Sequence, residues 1–471
     1  MLIGSRGKFI EYWSRAVTGE ICFEDDFDKK VYWPKLKAIT KKYGIEYDPD
    51  HMVPCDNDVL NRIWNAAVDL VVECGILCVD TRRIMHFTKE EIMQMVNNCE
   101  DSFTAGTGKD QITAKHRGFE DYGHIKNPVV MLGRLLGPCT EKCYHAIAQS
   151  YAQVPQMDIC HFQGNLQNIY NCPITPDSPW EVYAEFWCEA QVKDACRQVS
   201  RPGLSDGGIR AIGLPAMMSV FNPGWGATQG DHRCCLTLPH QKVEYKHMVR
   251  ALVWQQYQMP YYSVMTSYPG GLSGGPATSA VTGAAEWIIE KLIFDVPING
   301  SWSVDAMYFS NTSKYALWCS NYQNAAVTLN THCEPLVGGG WQMTHGLGSE
   351  EYFWESAAGA ISAVPLGNGV SGGTACQSAG LDHQGGLGVQ FSAEVAEAVA
   401  RAKLTREHAN DLVKQIMKKY QPAIDTRTAH TIGCDFSGCY DLVTVQPQKW
   451  YYDLYVKVKK ELKGMGLPMD V

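Results

Sequence analysis

The sequence lacks the features that would direct a protein to a nucleic acid or a membrane. It has no block of basic residues, and its 50 acidic side chains outnumber the 41 basic ones, which gives a net charge of −9. Neither a nucleic-acid partner nor an anionic membrane surface is therefore expected. No apolar run approaches the roughly 18 residues of a membrane span. The start, MLIGSRGKFIEYWSRA, has no signal-peptide core, so the sequence predicts a cytoplasmic protein.

The common catalytic and metal-binding motifs are missing as well. The sequence contains no G-x-x-x-x-G-K-[ST] phosphate loop, no G-x-S-x-G elbow and no H-E-x-x-H zinc helix. Cysteine is abundant, at 18 residues, but no paired C-x-x-C knuckles occur, which excludes a zinc ribbon. Without an export signal, these cysteines are expected to be free thiols in a reducing cytoplasm.

What the sequence does contain is an alternation of short apolar runs and longer helical patterns from about residue 128 to 400. MDICHFQGN (157–165) is strand-like, and Ser178-Pro179-Trp180-Glu181 begins a helix with a capping serine and an early proline. This alternation predicts an α/β fold, a (β/α)8 TIM barrel at 116–400. A helical extension is predicted at 1–115, where Thr88 to Glu91 matches a capping box, and a helical segment at 401–471.

In such a barrel, function lies at the carboxyl ends of the strands. The polar candidates there are His161, His232, Asp305, His332 and His345. The aromatic candidates are Tyr261, Tyr262, Tyr268 and Trp302. A cavity lined by aromatic rings with a few polar groups suits a flat organic ligand. The alternative is that the aromatic residues fill the core and that each histidine is a hydrogen-bonded core residue.

A metal site is a second possibility at these strand ends. Asp305 and Cys333 are residues of ligand type, and ligands from different strands can hold a catalytic zinc with an open position. No local spacing requires this site, because a chain with 18 cysteines produces such combinations by chance.

Several long stretches resemble one known family. They are KKYGIEYDPDHMVPCDND and VDLVVECGILCVDTRRIMHFTKEEI in the first 110 residues, SPWEVYAEFWCEAQVKDACRQVSRPG in the middle and CYDLVTVQPQKWYYDLY near the end. They are similar to the monomethylamine branch of the corrinoid-dependent methylamine methyltransferases. The resemblance implies a (β/α)8 barrel that transfers a methyl group to the cobalt of a separate corrinoid protein. It also implies a homo-oligomer.

The resemblance gives residue Gly207 a particular meaning. The family carries pyrrolysine in the turn after the Arg-Pro-Gly break, where its electrophilic imine captures the amine, and the matching position here is Gly207. A glycine cannot form that adduct. The family's acidic partners of the adduct lie on the next two strand ends, where this sequence reads GDHRCC (230–235) and YQMPYY (257–262) without a glutamate.

The resemblance, together with this vacated position, implies a bulkier methyl donor, and we expect a methoxylated aromatic compound that is O-demethylated. Its ring would stack among Tyr261, Tyr262, Tyr268 or Trp302, with the backbone of Gly207 and Gly208 against it. His332 or His345 would protonate the departing phenolate, or a zinc on Asp305 and Cys333 would polarise it. The alternatives are a quaternary or other methylated amine as donor, bound by a cation–π cage, and an inactive subunit that only binds the corrinoid protein.

Overall fold

Strands and helices alternate in the central part of the chain, as predicted, with a few shorter strands between them. The computed structural model describes residues 5–122, 131–135, 137–208, 210–221, 226–296, 298–333, 337–340, 342–375, 380–428 and 433–471. The central strands are β1 Met131–Leu135, β2 Ile159–Phe162, β3 Ser205–Asp206, β4 Arg233–Leu236, β5 Tyr261–Ser267, β6 Ile298–Ser303, β7 Val337–Gly338 and β8 Gly369–Gly372. Each is followed by a helix: α1 Glu141–Ala152, α2 Pro179–Gln198, α3 Leu214–Ser219, α4 Tyr245–Gln256, α5 Pro276–Phe294, α6 Lys314–Asn330, α7 Glu350–Ala363 and α8 Leu387–Ala402.

All eight strands are parallel to their neighbours, and they form two sheets. One has the order β3-β2-β1-β8-β7 and the other β4-β5-β6. Within the described ranges no ladder joins β3 to β4 or β6 to β7, so the closed barrel stays a prediction. Hydrogen bonds to side chains connect β3 with the segment before β4. The Asp206 amide donates to Asp231 Oδ1 at 2.9 Å, and the His232 amide donates to Ser205 Oγ at 2.9 Å.

The predicted helix starts are confirmed by their capping contacts. Ser178 Oγ accepts from the Glu181 amide at the start of α2, with Pro179 as its first residue. Thr88 and Glu91 form the reciprocal capping box of the helix Lys89–Asn97. These contacts satisfy amides that have no partner within their own helix.

The amino-terminal region, predicted as helical, also contains strands. Its longer helices are Ser5–Thr18, Phe27–Tyr32 (a π-helix), Trp33–Lys42, Asn57–Cys74 and Lys89–Asn97. A single helical turn, Glu24–Asp26, directly precedes the π-helix. Strands Glu20–Ile21, Ile76–Cys78 and Arg83–Met85 form a small sheet with Lys242–Val243. A hairpin of Ser102–Ala105 and Ile112–Lys115 packs its Phe103 with Ile159, Cys234, Tyr262 and Trp302.

The carboxyl-terminal segment is helical, as predicted, with helices Arg406–Asp425, Phe436–Cys439 and Lys449–Gly464. The remaining short strands are Pro138–Cys139, Asn165–Leu166, Asn168–Ile169, Cys172–Pro173, Gln342–Met343 and Thr374–Ala375, and 3-10 turns occur at Gly108–Asp110 and Val364–Leu366. The domain limits at 115 and 400 stay a prediction. Across the ranges given above, no helix has the length and apolar character to span a bilayer.

Candidate active site

Gly207 lies directly after β3, and two imidazole rings cover it. Its amide donates to the Cys160 carbonyl at 2.8 Å, which continues the pairing of β3 with β2. A Cβ at this position would collide with the rings of His161 and His232, both of which are buried. The expectation of an emptied space beside Gly207 is therefore wrong, because the two histidine side chains already fill it.

The imidazole rings belong to a compact polar cluster with Tyr262. The His161 ring stacks on the Tyr262 ring at a centroid distance of 3.9 Å and an interplanar angle of 18°, and lies 5.0 Å from the His232 ring. His161 Nδ1 and the Tyr262 hydroxyl are 2.9 Å apart, and Gln163 Nε2 donates to the same hydroxyl at 3.1 Å. Three of the residues predicted from the sequence, His161, His232 and Tyr262, thus lie together.

The hydrogen bonds assign the tautomer of His232 and relate that of His161 to the proton of the Tyr262 hydroxyl. The Tyr262 hydroxyl accepts from Gln163 and retains one proton, and where it donates that proton to His161 Nδ1, the ring proton of His161 lies on Nε2. Ser205 Oγ donates to the Gly230 carbonyl and accepts from the His232 amide, and it therefore also accepts from His232 Nδ1 at 2.8 Å. His232 thus carries its proton on Nδ1, and its Nε2 lies against Gly207.

The other predicted aromatic residues do not form a cage around a ligand. Successive residues of a strand point to opposite faces, and Tyr261 therefore points away from Tyr262 and donates to the Phe294 carbonyl at 2.7 Å. Trp302 is fully buried in the apolar cluster with Phe103. Tyr268 lies beyond β5, with its ring 6.2 Å from that of His240.

His345 is placed in a separate cluster, where a carboxylate holds it. Glu355 Oε1 accepts from His345 Nδ1 at 2.5 Å and from the His345 amide at 2.9 Å. Its Oε2 accepts from the Thr344 amide at 2.7 Å and from the Thr312 hydroxyl. Glu355 thereby connects the segments after β6 and β7 to α7, so this group of hydrogen bonds has a structural role.

Asp305 organises a loop. It is buried after β6, where it accepts from the Met307 amide at 2.9 Å and from Ser313 Oγ at 2.9 Å, and burial raises the pKa of its carboxyl. These bonds shape the turn that leads into α6.

His332 and Cys333 lie at the opposite end of α6 from Asp305. Ser313 caps the start of this 17-residue helix, and Cys333 follows its end, so a helix length of about 25 Å separates Asp305 from Cys333. Cys333 is buried and contacts the Val96 carbonyl, while His332 is exposed. The proposed zinc pair and the acid role of His332 at the carboxyl ends are therefore wrong. In the described part of the chain, no group of three or more His, Cys, Asp and Glu side chains could hold a metal ion.

A buried network of charges supports the turn at Gly207 and Gly208, and the sequence reasoning missed it. Asp206 Oδ1 accepts from the Gly208 amide at 2.7 Å, and Arg233 Nη1 donates to the Gly208 carbonyl at 2.7 Å. Arg210 donates to Asp206 at 2.8 Å and to Glu189 at 3.1 Å. The turn is therefore held on both sides of its peptide groups.

Burial and neighbouring charge shift the acids of this network in opposite directions. Burial together with the negative charge of Asp206 raises the pKa of Glu189 to about 7. Although burial opposes it, the pKa of Asp206 is lowered, because Arg210 and Arg233 stabilise its charged form. The network thus contains a carboxyl group that titrates near neutral pH.

The signal for this network was present in α2. Glu181, Glu185, Glu189 and Lys193 are spaced by four residues, which places them on one face of a helix. All four are buried. Buried acids on one helix face require partners. Arg210 pairs with Glu185 and Glu189, and Arg233 pairs with Glu189. Glu181 instead accepts from the backbone amides of Ile212 and Gly213.

Comparison with known proteins identifies the family. A model of the monomethylamine methyltransferase MtmB matches residues 8–467. The chain belongs to the monomethylamine methyltransferase family. It is 26% identical to monomethylamine methyltransferase MtmB2 of Methanosarcina acetivorans, with 97% of each chain covered. It is 25% identical to monomethylamine methyltransferase MtmB of Methanosarcina mazei, again with 97% of each covered.

The fold agrees with this assignment. The crystal structure of the Methanosarcina barkeri monomethylamine methyltransferase superposes with a TM-score of 0.89 at 24% identity, over 97% of this chain and 98% of that one. The crystal structure of the hydroxylamine MtmB complex gives the same values. Members of the monomethylamine methyltransferase family transfer a methyl group to a corrinoid protein, and this chain is accordingly an enzyme of that methyltransferase class.

Proposed function

We propose that the methyl donor is a methylated amine whose nitrogen leaves without first forming a covalent adduct with the protein. The observation that carries the proposal is the buried cluster of His161, His232 and Tyr262 against Gly207, in a chain matched by the monomethylamine methyltransferase model over residues 8–467. The relatives at 25–26% identity are monomethylamine methyltransferases. The aromatic donor expected from the sequence has no such support.

The chemistry requires a nitrogen that departs as a neutral molecule. In a quaternary or protonated amine, the C–N bond breaks with its electron pair remaining on nitrogen, and the methyl carbon bonds to the cobalt of the corrinoid protein. The amine then leaves uncharged, so no imine is needed to activate it. The protein has to orient the donor and, where the nitrogen carries a hydrogen, keep that proton in place.

The imidazole pair is suited to this second task. With the Tyr262 proton directed to His161 Nδ1, His161 presents a ring N–H at Nε2, whereas His232 presents a ring acceptor at Nε2. The N–H groups of a protonated donor can donate to Nε2 of His232, and the electron pair that develops on nitrogen as the C–N bond breaks can accept a hydrogen bond from the Nε2 proton of His161. Tyr262 and Ser205 act as positioning residues because each fixes the tautomer of one ring.

We further propose that the eight strands close into a (β/α)8 barrel in solution and that the corrinoid protein docks at the carboxyl ends of the strands. Gly207 follows the carboxyl end of β3 directly, which is the edge where barrel enzymes build their active sites. The acceptor cobalt has to reach that edge from outside.

The test is a donor screen with the corrinoid protein held in its Co(I) state. Monomethylamine, trimethylamine, tetramethylammonium and 2-methoxyphenol are added separately, and methylation is followed by the absorbance of the corrinoid. We expect methylation with at least one of the three amine donors and none with 2-methoxyphenol. The proposal would be overturned if 2-methoxyphenol were the only compound that methylated the corrinoid, or if none of the four compounds did.

A further inference from the structure

The amino-terminal hairpin, residues 102–115, lies across the gap between β3 and β4. Within the described ranges no strand ladder joins these two strands, and the tip of the hairpin bonds to the segments that precede both. The Gly106 amide donates to the Gly230 carbonyl at 2.7 Å, and the Thr107 amide donates to the Gly203 carbonyl at 2.9 Å. The hairpin therefore supplies backbone hydrogen bonds on both sides of this gap.

A buried carboxylate anchors the tip of the hairpin to the turn before β3. Asp110 Oδ2 accepts from the Gly203 amide at 3.1 Å, and its Oδ1 accepts from Arg201 Nε at 3.3 Å. Arg201 in turn donates to the carbonyls of Val154 and Met157, at 3.0 and 2.6 Å. Because these groups are bonded to one another, the tip is held in place against the turn that leads into β3.

The hydrogen bond from Gly106 lies two hydrogen bonds away from the His232 ring. The Gly230 carbonyl accepts from the Gly106 amide and also from Ser205 Oγ, at 2.7 and 2.9 Å. A hydroxyl has a single proton, so Ser205 is left to accept from His232 Nδ1, at 2.8 Å. The hairpin thus holds the carbonyl on which the tautomer of His232 depends.

Phe103 of the hairpin contacts the same imidazole directly. Its ring meets the His232 ring edge to face at a centroid distance of 6.2 Å and an interplanar angle of 88°. Phe103 is 2% exposed, and the apolar cluster in which it packs includes Tyr262 and Trp302. Edge-to-face pairs have a preferred geometry, which a rotation of either ring would lose. Phe103 therefore restrains the plane of the His232 ring, whereas Ser205 restrains its proton.

Both restraints act on the ring nitrogen that lies against Gly207. A half rotation of the imidazole about its Cβ–Cγ bond would exchange each ring nitrogen with a ring carbon. It would take Nδ1 away from Ser205 and Nε2 away from Gly207. The acceptor proposed for the N–H groups of the amine would then be lost, and the amino-terminal hairpin opposes this rotation.

We propose that the amino-terminal hairpin positions His232 for methyl transfer. Phe103 holds the plane of the ring, and the Gly106 amide holds the carbonyl that fixes its tautomer. Phe103 acts through His232 and is therefore a positioning residue. This inference rests on the proposed role of His232 in binding the amine, and it gives a segment outside the predicted barrel a part in orienting a barrel side chain.

The first experiment compares two apolar residues of the hairpin. Phe103→Leu keeps a buried apolar side chain but removes the ring, whereas Ile112→Ala trims a side chain that packs against the same cluster and leaves every ring in place. In corrinoid methylation assays with the full chain, we expect Phe103→Leu to lower kcat for the amine by about tenfold, because a misplaced group is less effective in the transition state. The KM for the corrinoid protein should not change. Ile112→Ala should keep the wild-type values of both.

The tautomer of His232 is a readout that does not depend on turnover. In protein whose histidines carry a nitrogen isotope, NMR separates protonated from unprotonated ring nitrogens, and His232→Gln identifies the signals of His232 by their loss. We expect the wild type and Ile112→Ala to show His232 protonated at Nδ1. In Phe103→Leu, both ring nitrogens should shift towards the average of the two tautomers.

A second variant tests the tip of the hairpin without removing an apolar side chain. Asp110→Asn takes away one carboxylate oxygen and the charge that pairs with Arg201. We expect kcat to fall by about threefold, and the ring nitrogens of His232 to shift in the same direction as in Phe103→Leu. Lys109→Gln, at the exposed neighbouring position, should behave as the wild type. This pair of variants decides the matter if Phe103→Leu does not fold.

The outcomes separate the role of the hairpin from the proposed function. If the amine is turned over but Phe103→Leu matches Ile112→Ala in kcat and in the His232 signals, the positioning role is overturned and the function stands. A lower kcat with unaltered signals would overturn it too, because His232 would then keep its orientation without Phe103. If the wild type turns over no amine, the function fails, and the NMR comparison alone decides whether the hairpin positions His232.

Discussion

His161 and His232 are held by hydroxyl groups, whereas His345 is held by a carboxylate. In the first region, around β2 to β5, the partners of the imidazole rings are Tyr262 and Ser205. In the second region, after β6 and β7, Glu355 accepts from His345 and also from two backbone amides and a threonine hydroxyl. Both regions are buried, and both contain histidines that the sequence marked as functional.

The difference indicates what each region can do. A hydroxyl can donate or accept, so a proton can move along a chain of hydroxyls and imidazoles without leaving a buried charge unpaired. A carboxylate that accepts four hydrogen bonds is committed to them, and removing any one leaves a polar group without compensation. We therefore treat the first region as the reactive one and the second as a clamp on the strand ends.

The largest expected effect separates the two histidines directly. His161→Phe keeps an aromatic ring on Tyr262 but removes both ring nitrogens, so we expect kcat to fall by about 10²–10⁴-fold, as for loss of a proton-transfer group. His345→Gln should leave kcat close to that of the wild type while lowering the melting temperature. Both are measured by corrinoid methylation with the amine donor. A larger loss of kcat in His345→Gln would reverse the comparison.

The clamp is tested next through its carboxylate. Glu355→Ala leaves the amides of Thr344 and His345 without their acceptor, and we expect the free energy of unfolding to fall by about 3–5 kcal/mol, as when one partner of a buried pair is removed. Urea denaturation followed by fluorescence gives the change. The control is Glu351→Ala, a partly exposed position one turn earlier on α7. If the two variants had similar midpoints, the clamp would be refuted.

How much of this could be predicted from the sequence depends on the range of the interactions. The alternation of elements and the caps at Ser178 and Thr88 are local patterns, and the structure confirms them. The meeting of His161 with Tyr262 could not be derived, because the two residues are 101 positions apart and only strand order brings them together. Cys333 was misplaced for a related reason: it follows a helix, and helices return the chain to the amino ends.

The crowding at Gly207 offers a smaller and more local test of the reactive region. Gly207→Ala would press a methyl group into the His161 and His232 rings, and we expect a destabilisation of about 1–3 kcal/mol together with a lower kcat, because overpacking displaces side chains. The control, Gly464→Ala, meets nothing within 4 Å at the end of a helix and should be neutral. An unaltered melting temperature in Gly207→Ala would show that the space is open after all.

The smallest expected effect concerns the protonation of Glu189, which belongs to the charged network that supports the turn at Gly207. The pKa of Glu189 is about 7 in the folded chain against an ordinary value of 4.5, so the folded state binds the extra proton between these values. The stability that this proton contributes is fully present below pH 4.5 and is lost as the pH rises through 7. Glu189→Gln cannot titrate and should lack this slope.

The difference in melting temperature between the two chains isolates Glu189. His240 and His247, whose pKa values burial lowers to about 4 and about 3, add stability as the pH rises towards 6.5. They are present in both chains, so their contribution cancels. We expect the wild-type advantage over Glu189→Gln to shrink from pH 5 through 7 and to become level only above about pH 8. If the difference in melting temperature did not change with pH, Glu189 would be ionised over the whole range. The two regions would then differ only in the groups that hold their histidines.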